Sequence, residues 1–297
     1  MTERGGFHSG VIGVVGRPNV GKSTLLNRLV GETVSITSAR PQTTRHVIRG
    51  ILTTARCQYV FVDTPGYQTR RSSTLNRLMN RRVVASLGSV DLVFLVMEAM
   101  VFRAEDRRVR ALLPQDKPVI LVVNKIDRVR PRTNLLPYLE TVAAAGGFAE
   151  VVPVSAAHGE NLAELLRVTE EHLPSGAPLY PPDEITDRPE RFLAAEFLRE
   201  KLFRRLGDEL PYGLTVEIER FEDARGVRRI AAAVIVDKAS HRPIVIGRHG
   251  ALLKVAATQA RLDMERVFGA KVFLDVWVKV RSGWADDELA LRNLGYD

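Results

Sequence analysis

Between the apolar run Val11-Ile12-Gly13-Val14-Val15 and the helix-like Thr24-Leu25-Leu26-Asn27-Arg28-Leu29 stand Gly16-Arg17-Pro18-Asn19-Val20-Gly21-Lys22-Ser23, a match to G-x-x-x-x-G-K-[ST]. The order strand, glycine turn, helix commits this part of the chain to an α/β layout. It aims backbone N–H groups and the positive end of a helix dipole at one point. Two glycines let the main chain curl close to a polyphosphate. Lys22 is then placed to neutralise β and γ phosphates, with the Ser23 hydroxyl, beside Thr24, as a ligand for Mg2+.

Three later loops specify the base. Asp63-Thr64-Pro65-Gly66 ends the apolar run Tyr59-Val60-Phe61-Val62, so Asp63 is expected at a strand's carboxyl end, holding Mg2+ through a water, with the Gly66 N–H turned towards a γ-phosphate. Asn124-Lys125-Ile126-Asp127 follows Val119-Ile120-Leu121-Val122-Val123 in the same arrangement. A carboxylate at Asp127 accepts from N1–H and the exocyclic amine of guanine, a pair adenine does not offer. Ser155-Ala156 follows Val151-Val152-Pro153-Val154, its backbone available to the guanine O6. Four loops at the ends of four apolar strands line one crevice of an open α/β sheet. The expected cofactors are GTP or GDP with Mg2+.

The polar segment Pro41-Gln42-Thr43-Thr44-Arg45-His46 is suited to offer a threonine to Mg2+ while a γ-phosphate holds it, Thr44 first and Thr43 as the alternative. A second mobile stretch is expected from Gly66 to Ser73. Lys22, Thr44 and Gly66 are the expected catalytic groups. Tyr67 stands where many small GTPases carry a water-orienting glutamine, and Gln68 does not replace it. The expectation is slow intrinsic hydrolysis, with water held by backbone groups and charge stabilisation supplied from outside. Asn19 is the candidate to help ligate K+ where an arginine finger would reach.

At 297 residues the chain exceeds one typical domain. The proline-rich stretch 173–182 marks the boundary, giving a first domain over 1–175, a linker over 176–190 and a second domain over 191–297. Cys57 is the only cysteine, which excludes an internal disulfide and a cysteine zinc site and suits a reducing cytosol. No apolar stretch is long enough to span a bilayer, and the first residues do not read as a signal peptide. The net charge of +8 lies wholly in residues 1–182, with 23 basic against 15 acidic residues; the remainder balances. Within the remainder, Arg225, Arg228, Arg229, Lys238, Arg242, Arg248, Lys254 and Arg261 face only Asp237 in the same span.

In the second half, residues 192–206 carry a helical stripe at Ala194, Leu198, Leu202 and Leu206, with Gly207 as stop. Strands are expected at 215–219 and 230–236, a short helix over 242–246, a helix over 251–268 closed by Gly269, and a last strand with Val272, Leu274, Val276, Val278 and Val280 on one face. Between the last two helices lies Gly247-Arg248-His249-Gly250, a tight turn that lets backbone approach a single-stranded nucleic acid. Ile246, Gly247, Arg248, His249, Gly250 and Lys254 are the expected RNA-binding residues.

Residues 16–27, 42–46, 63–66 and 124–127, with 210–212, 216–219, 245–247 and 277–287, together resemble the bacterial Era family over nearly the whole chain. The resemblance implies a Ras-like P-loop GTPase domain, α/β with a mixed, mostly parallel sheet, followed by an α+β type II KH domain. It implies a monomeric, cytoplasmic assembly factor that grips the 3′ end of 16S rRNA and serves the small (30S) ribosomal subunit, in part at the inner face of the membrane. Two other classes stand beside it: a membrane-associated regulatory GTPase whose second domain binds protein or lipid, and an RNA-modifying enzyme positioned by GTP. Against the latter, no cofactor motif follows residue 182.

Overall fold

The computed structural model describes residues 6–38, 40, 43–67, 73–207 and 210–296. These divide into two compact units, the first drawn mainly from the chain up to Asp187, the second from Arg188 onward together with Ile36–Ser38 and the segment preceding Met79.

In the first unit the strands are β1 (His8–Val15), β2 (Ile48–Thr53), β3 (Cys57–Asp63), β4 (Leu92–Glu98), β5 (Val119–Asn124) and β6 (Glu150–Pro153). They form one sheet in the order β2-β3-β1-β4-β5-β6, parallel throughout except for β2. The helices are α1 (Lys22–Val30), α2 (Thr74–Leu87), α3 (Ala104–Arg110), α4 (Leu135–Ala144) and α5 (Leu162–His172). β4 is buried at six of its seven positions, which is why it reads as an unbroken apolar run: both faces are covered. Phe94 and Val96 join Leu25, Leu26, Leu165 and Val168 in one core layer, while Val93, Leu95 and Met97 join Val83, Leu87 and Val109 in the other. Parallel pairing leaves the carboxyl ends of β1, β3, β4 and β5 along one edge, and the connecting loops carry the site.

The proline-rich segment is laced to this unit. Gln58 receives the N–H groups of Leu179 and Tyr180 on its carbonyl oxygen and donates to the Tyr180 carbonyl, and the Ile51 N–H donates to the Ile185 carbonyl at 2.9 Å. Prolines cannot extend a ladder, but their neighbours use the free edge.

The second unit contains α6 (Glu190–Arg205), β7 (Leu214–Ala224), β8 (Val227–Val236), α7 (His241–Ile246), α8 (Ala251–Phe268), β9 (Lys271–Val280) and α9 (Glu288–Asn293). β8 is central, antiparallel to β7 and parallel to β9. The stripe Ala194, Leu198, Leu202 and Leu206 is at most 1% exposed and packs with Ala256, Ala260 and Met264 of α8 over the sheet. α8 spans the predicted residues, with Gly269 left-handed behind it. α6 stops at Arg205, capped by Leu206 rather than by Gly207.

β7 and β8 run further than the apolar alternation indicates, meeting at Arg225 and Gly226, both at positive φ. That is the backbone of a tight two-residue hairpin turn. Charged side chains mask the alternation there, while the ladder continues through pairs such as Glu222 with Arg229.

Candidate nucleotide and RNA sites

The phosphate loop closes at the start of α1. Gly21 has φ 102°, and a Cβ there would stand 2.3 Å from the Asn124 amide nitrogen, so only glycine fits between the two loops. Gly16, Arg17, Val20 and Lys22 are buried, Pro18 is half-buried, and Asn19, left-handed at φ 65°, is exposed at the bend. Lys22 Nζ donates to the carbonyls of Gly16 at 3.0 Å and Arg17 at 3.1 Å. Burial pulls its pKa down to about 8, against the pull of Asp63. α1 has neither an acidic first turn nor a side-chain cap, so its first N–H groups remain for an anion.

Beside Lys22 lies a cluster of oxygens. Asp63 Oδ2 accepts from Ser23 Oγ at 2.7 Å and from Ser35 Oγ at 2.8 Å, and Ser23 Oγ is 2.8 Å from Thr44 Oγ1. Thr43 instead donates its hydroxyl to the Arg40 carbonyl, so the structure brings Thr44 rather than Thr43 to this cluster. Asp63 Oδ1 is buried with no hydrogen-bond partner. Burial raises the Asp63 pKa, opposed by Lys22 and by the hydroxyls of Ser23, Ser35 and Thr44. One orphaned carboxylate oxygen among hydroxyls is a donor set that fits Mg2+. Among the described residues no group of three or more His, Cys, Asp and Glu could cage a metal, so phosphate oxygens would complete the shell.

Thr64 donates to the Val14 carbonyl at 2.9 Å, Pro65 is buried, Gly66 stands against Pro18 of the phosphate loop, and Tyr67 packs half-buried on the α2/α3 core layer. Pro41, Gln42 and residues 68–72, part of the two expected mobile stretches, lie outside the described residues.

On the base side, Asn124 Nδ2 donates to the Val20 carbonyl at 2.8 Å while its Oδ1 accepts the Ala156 N–H at 3.0 Å. One buried amide therefore ties three of the four loops together. Lys125 is left-handed at φ 65° and Ile126 is buried beneath it. Asp127 Oδ1 accepts from Ser155 Oγ at 2.6 Å, which holds its carboxyl below the usual range and leaves Oδ2 facing outward near His158. Ser155 is fully buried.

Three residues of this site lie outside the four nucleotide loops. Ser35 is one. Asn27 is another: its Oδ1 accepts the N–H groups of Val34 and Ser35, and its Nδ2 donates to the Ser35 carbonyl at 2.6 Å. The third is Glu98, at the end of β4, paired with Lys125 at 2.9 Å. An asparagine one helical turn after Ser23 is the only trace of this bracket along the chain.

In the second unit, α7 ends at Ile246 and Gly247 takes φ 75° and ψ 173°, a conformation essentially reserved for glycine. Arg248 and His249 are exposed, Gly250 caps α8 in the left-handed region, and Lys254 is exposed on the first turn of α8. Ile244 (53%) and Val255 (46%) flank this turn as exposed apolar side chains. The basic cluster itself divides. Arg228 and Arg229 stand opposite Val272 and Phe273 at the start of β9, whereas Lys238, Arg242 and Arg248 follow the other end of β8, about 25 Å along the strand. Arg228 is further paired with Glu190 and Asp223, and Arg261 with Glu265. Of the cluster, Arg248 lies in the glycine turn and Lys254 on the first turn of α8 behind it, while Lys238 precedes α7 and Arg242 stands at its start.

Comparison with known proteins matches residues 11–125 to a family described as 50S ribosome-binding GTPase and residues 209–285 to the KH domain. GTPase Era of Chromobacterium violaceum is 57% identical over 98% of both chains. GTPase Era of Nitrosomonas eutropha is 51% identical over 98% of this chain and 99% of its own. A crystal structure of Era in complex with MgGDPNP and nucleotides 1506–1542 of 16S ribosomal RNA superposes with TM-score 0.93 at 36% identity, covering 98% of this chain and 99% of that one. An Aquifex aeolicus Era variant bound to GDP.AlF4- gives TM-score 0.94 at 36% identity over the same shares.

Proposed function

Because this chain belongs to the family of GTPase Era, and is a GTPase with a KH domain, we propose that it binds the 3′ end of 16S rRNA and serves 16S rRNA processing and assembly of the small ribosomal subunit. The observation that carries this reading is the pairing, in one chain, of a nucleotide crevice with a glycine turn flanked by Arg248, His249, Ile244 and Val255. The Era structure solved with MgGDPNP and 16S nucleotides offers the same pairing of ligands.

In this reading Gly16, Arg17, Pro18, Asn19, Val20, Gly21, Lys22, Ser23 and Thr24 hold the phosphates, and Asn124, Lys125, Ile126, Asp127, Ser155 and Ala156 read guanine. Ser23, Thr44 and, through a water, Asp63 are the residues that would hold Mg2+, which would supply charge neutralisation across the phosphates there. Lys22 adds charge at the γ-phosphate, and the N–H groups of Thr44 and Gly66 fix it and the attacking water. Tyr67 offers no amide to orient that water, so intrinsic turnover is slow. Asn19 is the residue proposed to help hold K+. Residues 1–175 form the nucleotide domain, 176–190 the connection and 191–297 the RNA domain of a cytoplasmic monomer. Peripheral contact with the membrane is a family expectation; no helix of the described residues is long and apolar enough to cross one.

The test is filter binding of a labelled RNA carrying the 16S 3′ end. Gly247→Asp is a poor probe, since a Cβ there would stand 2.6 Å from Leu252 Cβ. Arg248→Asp with His249→Asp changes only exposed side chains. It is expected to weaken binding roughly tenfold or more through lost phosphate contacts. Undiminished RNA binding by this variant sinks the assignment.

A further inference from the structure

Glu98 ends β4 between the phosphate loop and the base loop, and three cations from those two loops converge on it. Arg17 Nη2 is 3.0 Å from Oε2, Lys125 Nζ is 2.9 Å from the same oxygen, and Arg128 Nη1 is 3.7 Å from Oε1. Arg17 is also held by Asp106 of α3, Nε to Oδ2 at 3.2 Å, with side-chain exposures of 7% and 1%. Asp106 Oδ2 also accepts the Arg103 N–H at 2.8 Å, so its anchor is the first turn of α3. Burial opposes the charged form of Glu98, yet the hydrogen bonds and charges of Lys125 and Arg17 hold its carboxyl below the usual range.

This arrangement matters because each cation belongs to a loop with a separate task. The Arg17 carbonyl accepts Lys22 Nζ at 3.1 Å, so fixing the Arg17 side chain fixes one of the two carbonyls that dock the phosphate lysine. Lys125 occupies a left-handed backbone position that only surrounding contacts maintain. A nucleotide spans both loops, and it binds more tightly when their separation is set beforehand than when binding must order them.

We propose that Glu98 is a positioning residue that couples the guanine-reading loop to the phosphate-reading loop through Lys125 and Arg17. The inference rests on the nucleotide-site reading above. A half-buried ion-pair network that served stability alone would be expendable for the ligand. The coupling instead makes nucleotide residence time depend on one carboxylate that does not touch the nucleotide.

The experiment is stopped-flow release of fluorescent GDP from the full chain, with unfolding midpoints of the nucleotide-free proteins alongside. Glu98→Gln keeps shape and hydrogen-bonding capacity but removes the charge. It is expected to speed release about tenfold, since it removes the charge that Arg17 and Lys125 share in a half-buried network, and such losses act mainly on the off-rate. In an Arg17→Met/Lys125→Met background the same change is expected to alter release less than about twofold, because its two routes are gone. Unchanged release in Glu98→Gln, or an equal acceleration in both backgrounds, overturns the proposal. Should Glu98→Gln fail to fold, Asp106→Asn carries the test: about threefold faster release alone and no further effect with Arg17→Met. An unchanged rate for Asp106→Asn alone, or the same acceleration with Arg17→Met, is then the overturning result. If the unaltered protein takes up no fluorescent GDP, the nucleotide-site reading itself falls, an outcome separate from either.

Discussion

Ser35 shows how much of the phosphate site rests on a residue outside every motif. Its hydroxyl occupies Asp63 Oδ2, while Asp63 Oδ1 stays buried without a hydrogen-bond partner, and Asn27 holds the Ser35 backbone from both sides. A hydrogen bond to a charged group contributes about 1.5–3 kcal/mol when its partner is buried. Ser35→Ala is therefore expected to raise the Mg2+ concentration needed to slow GDP release by about tenfold or more. A titration of release rate against Mg2+ reads this directly. Asp63, Asn124 and Asp127 were legible in the chain because each follows an apolar strand at a fixed offset. Ser35 and Asp106 were not, since neither ends an apolar run or belongs to a short motif; Glu98 does end one, over 92–97, but belongs to no phosphate or base motif.

Among the elements, the turn between α7 and α8 separates two glycines that look equivalent in Gly247-Arg248-His249-Gly250. At Gly247 an added Cβ meets Leu252 Cβ at 2.6 Å in a backbone region closed to other residues. At Gly250 the same atom meets nothing within 4 Å, and only the left-handed backbone resists substitution. Gly247→Ala is expected to destabilise the second unit by about 3 kcal/mol or more, and Gly250→Ala by about 1–2 kcal/mol. Urea unfolding of both variants measures the difference, and equal losses would contradict this account of the turn. Helix α8 was readable to its ends because Ala256, Ala260 and Met264 repeat at four-residue spacing and Gly269 stops it. The hairpin of β7 and β8 was readable only at its buried end; beyond the pair Phe221 with Ile230, the ladder runs through Glu222 with Arg229 and Asp223 with Arg228, which give no apolar signal.

At the scale of the whole molecule, the last residues close the second unit. Trp284 is fully buried, its indole N–H donating to the Gly213 carbonyl at 3.1 Å, and the Tyr296 hydroxyl lies 3.0 Å from Thr215 Oγ1. Trp284→Ala is expected to cost the second unit about 3–5 kcal/mol. GDP affinity, measured by calorimetry on the same variant, should stay within about twofold, because the first unit has its own two core layers. A collapse of GDP binding together with the second unit would show that the two do not hold their folds separately.

Chain order alone set the α/β class, the four nucleotide loops, the glycine turn and the long helices, because strand and helix periods and short phosphate motifs are local properties written in consecutive residues. Folding in three dimensions chose Thr44 over Thr43, parted the basic residues between two ends of a strand, and brought Glu98 to Arg17 and Lys125. Those outcomes depend on which side chains meet across strands far apart in the chain, where hydrogen bonds and ion pairs act over a few ångströms of space and ignore distance along the backbone.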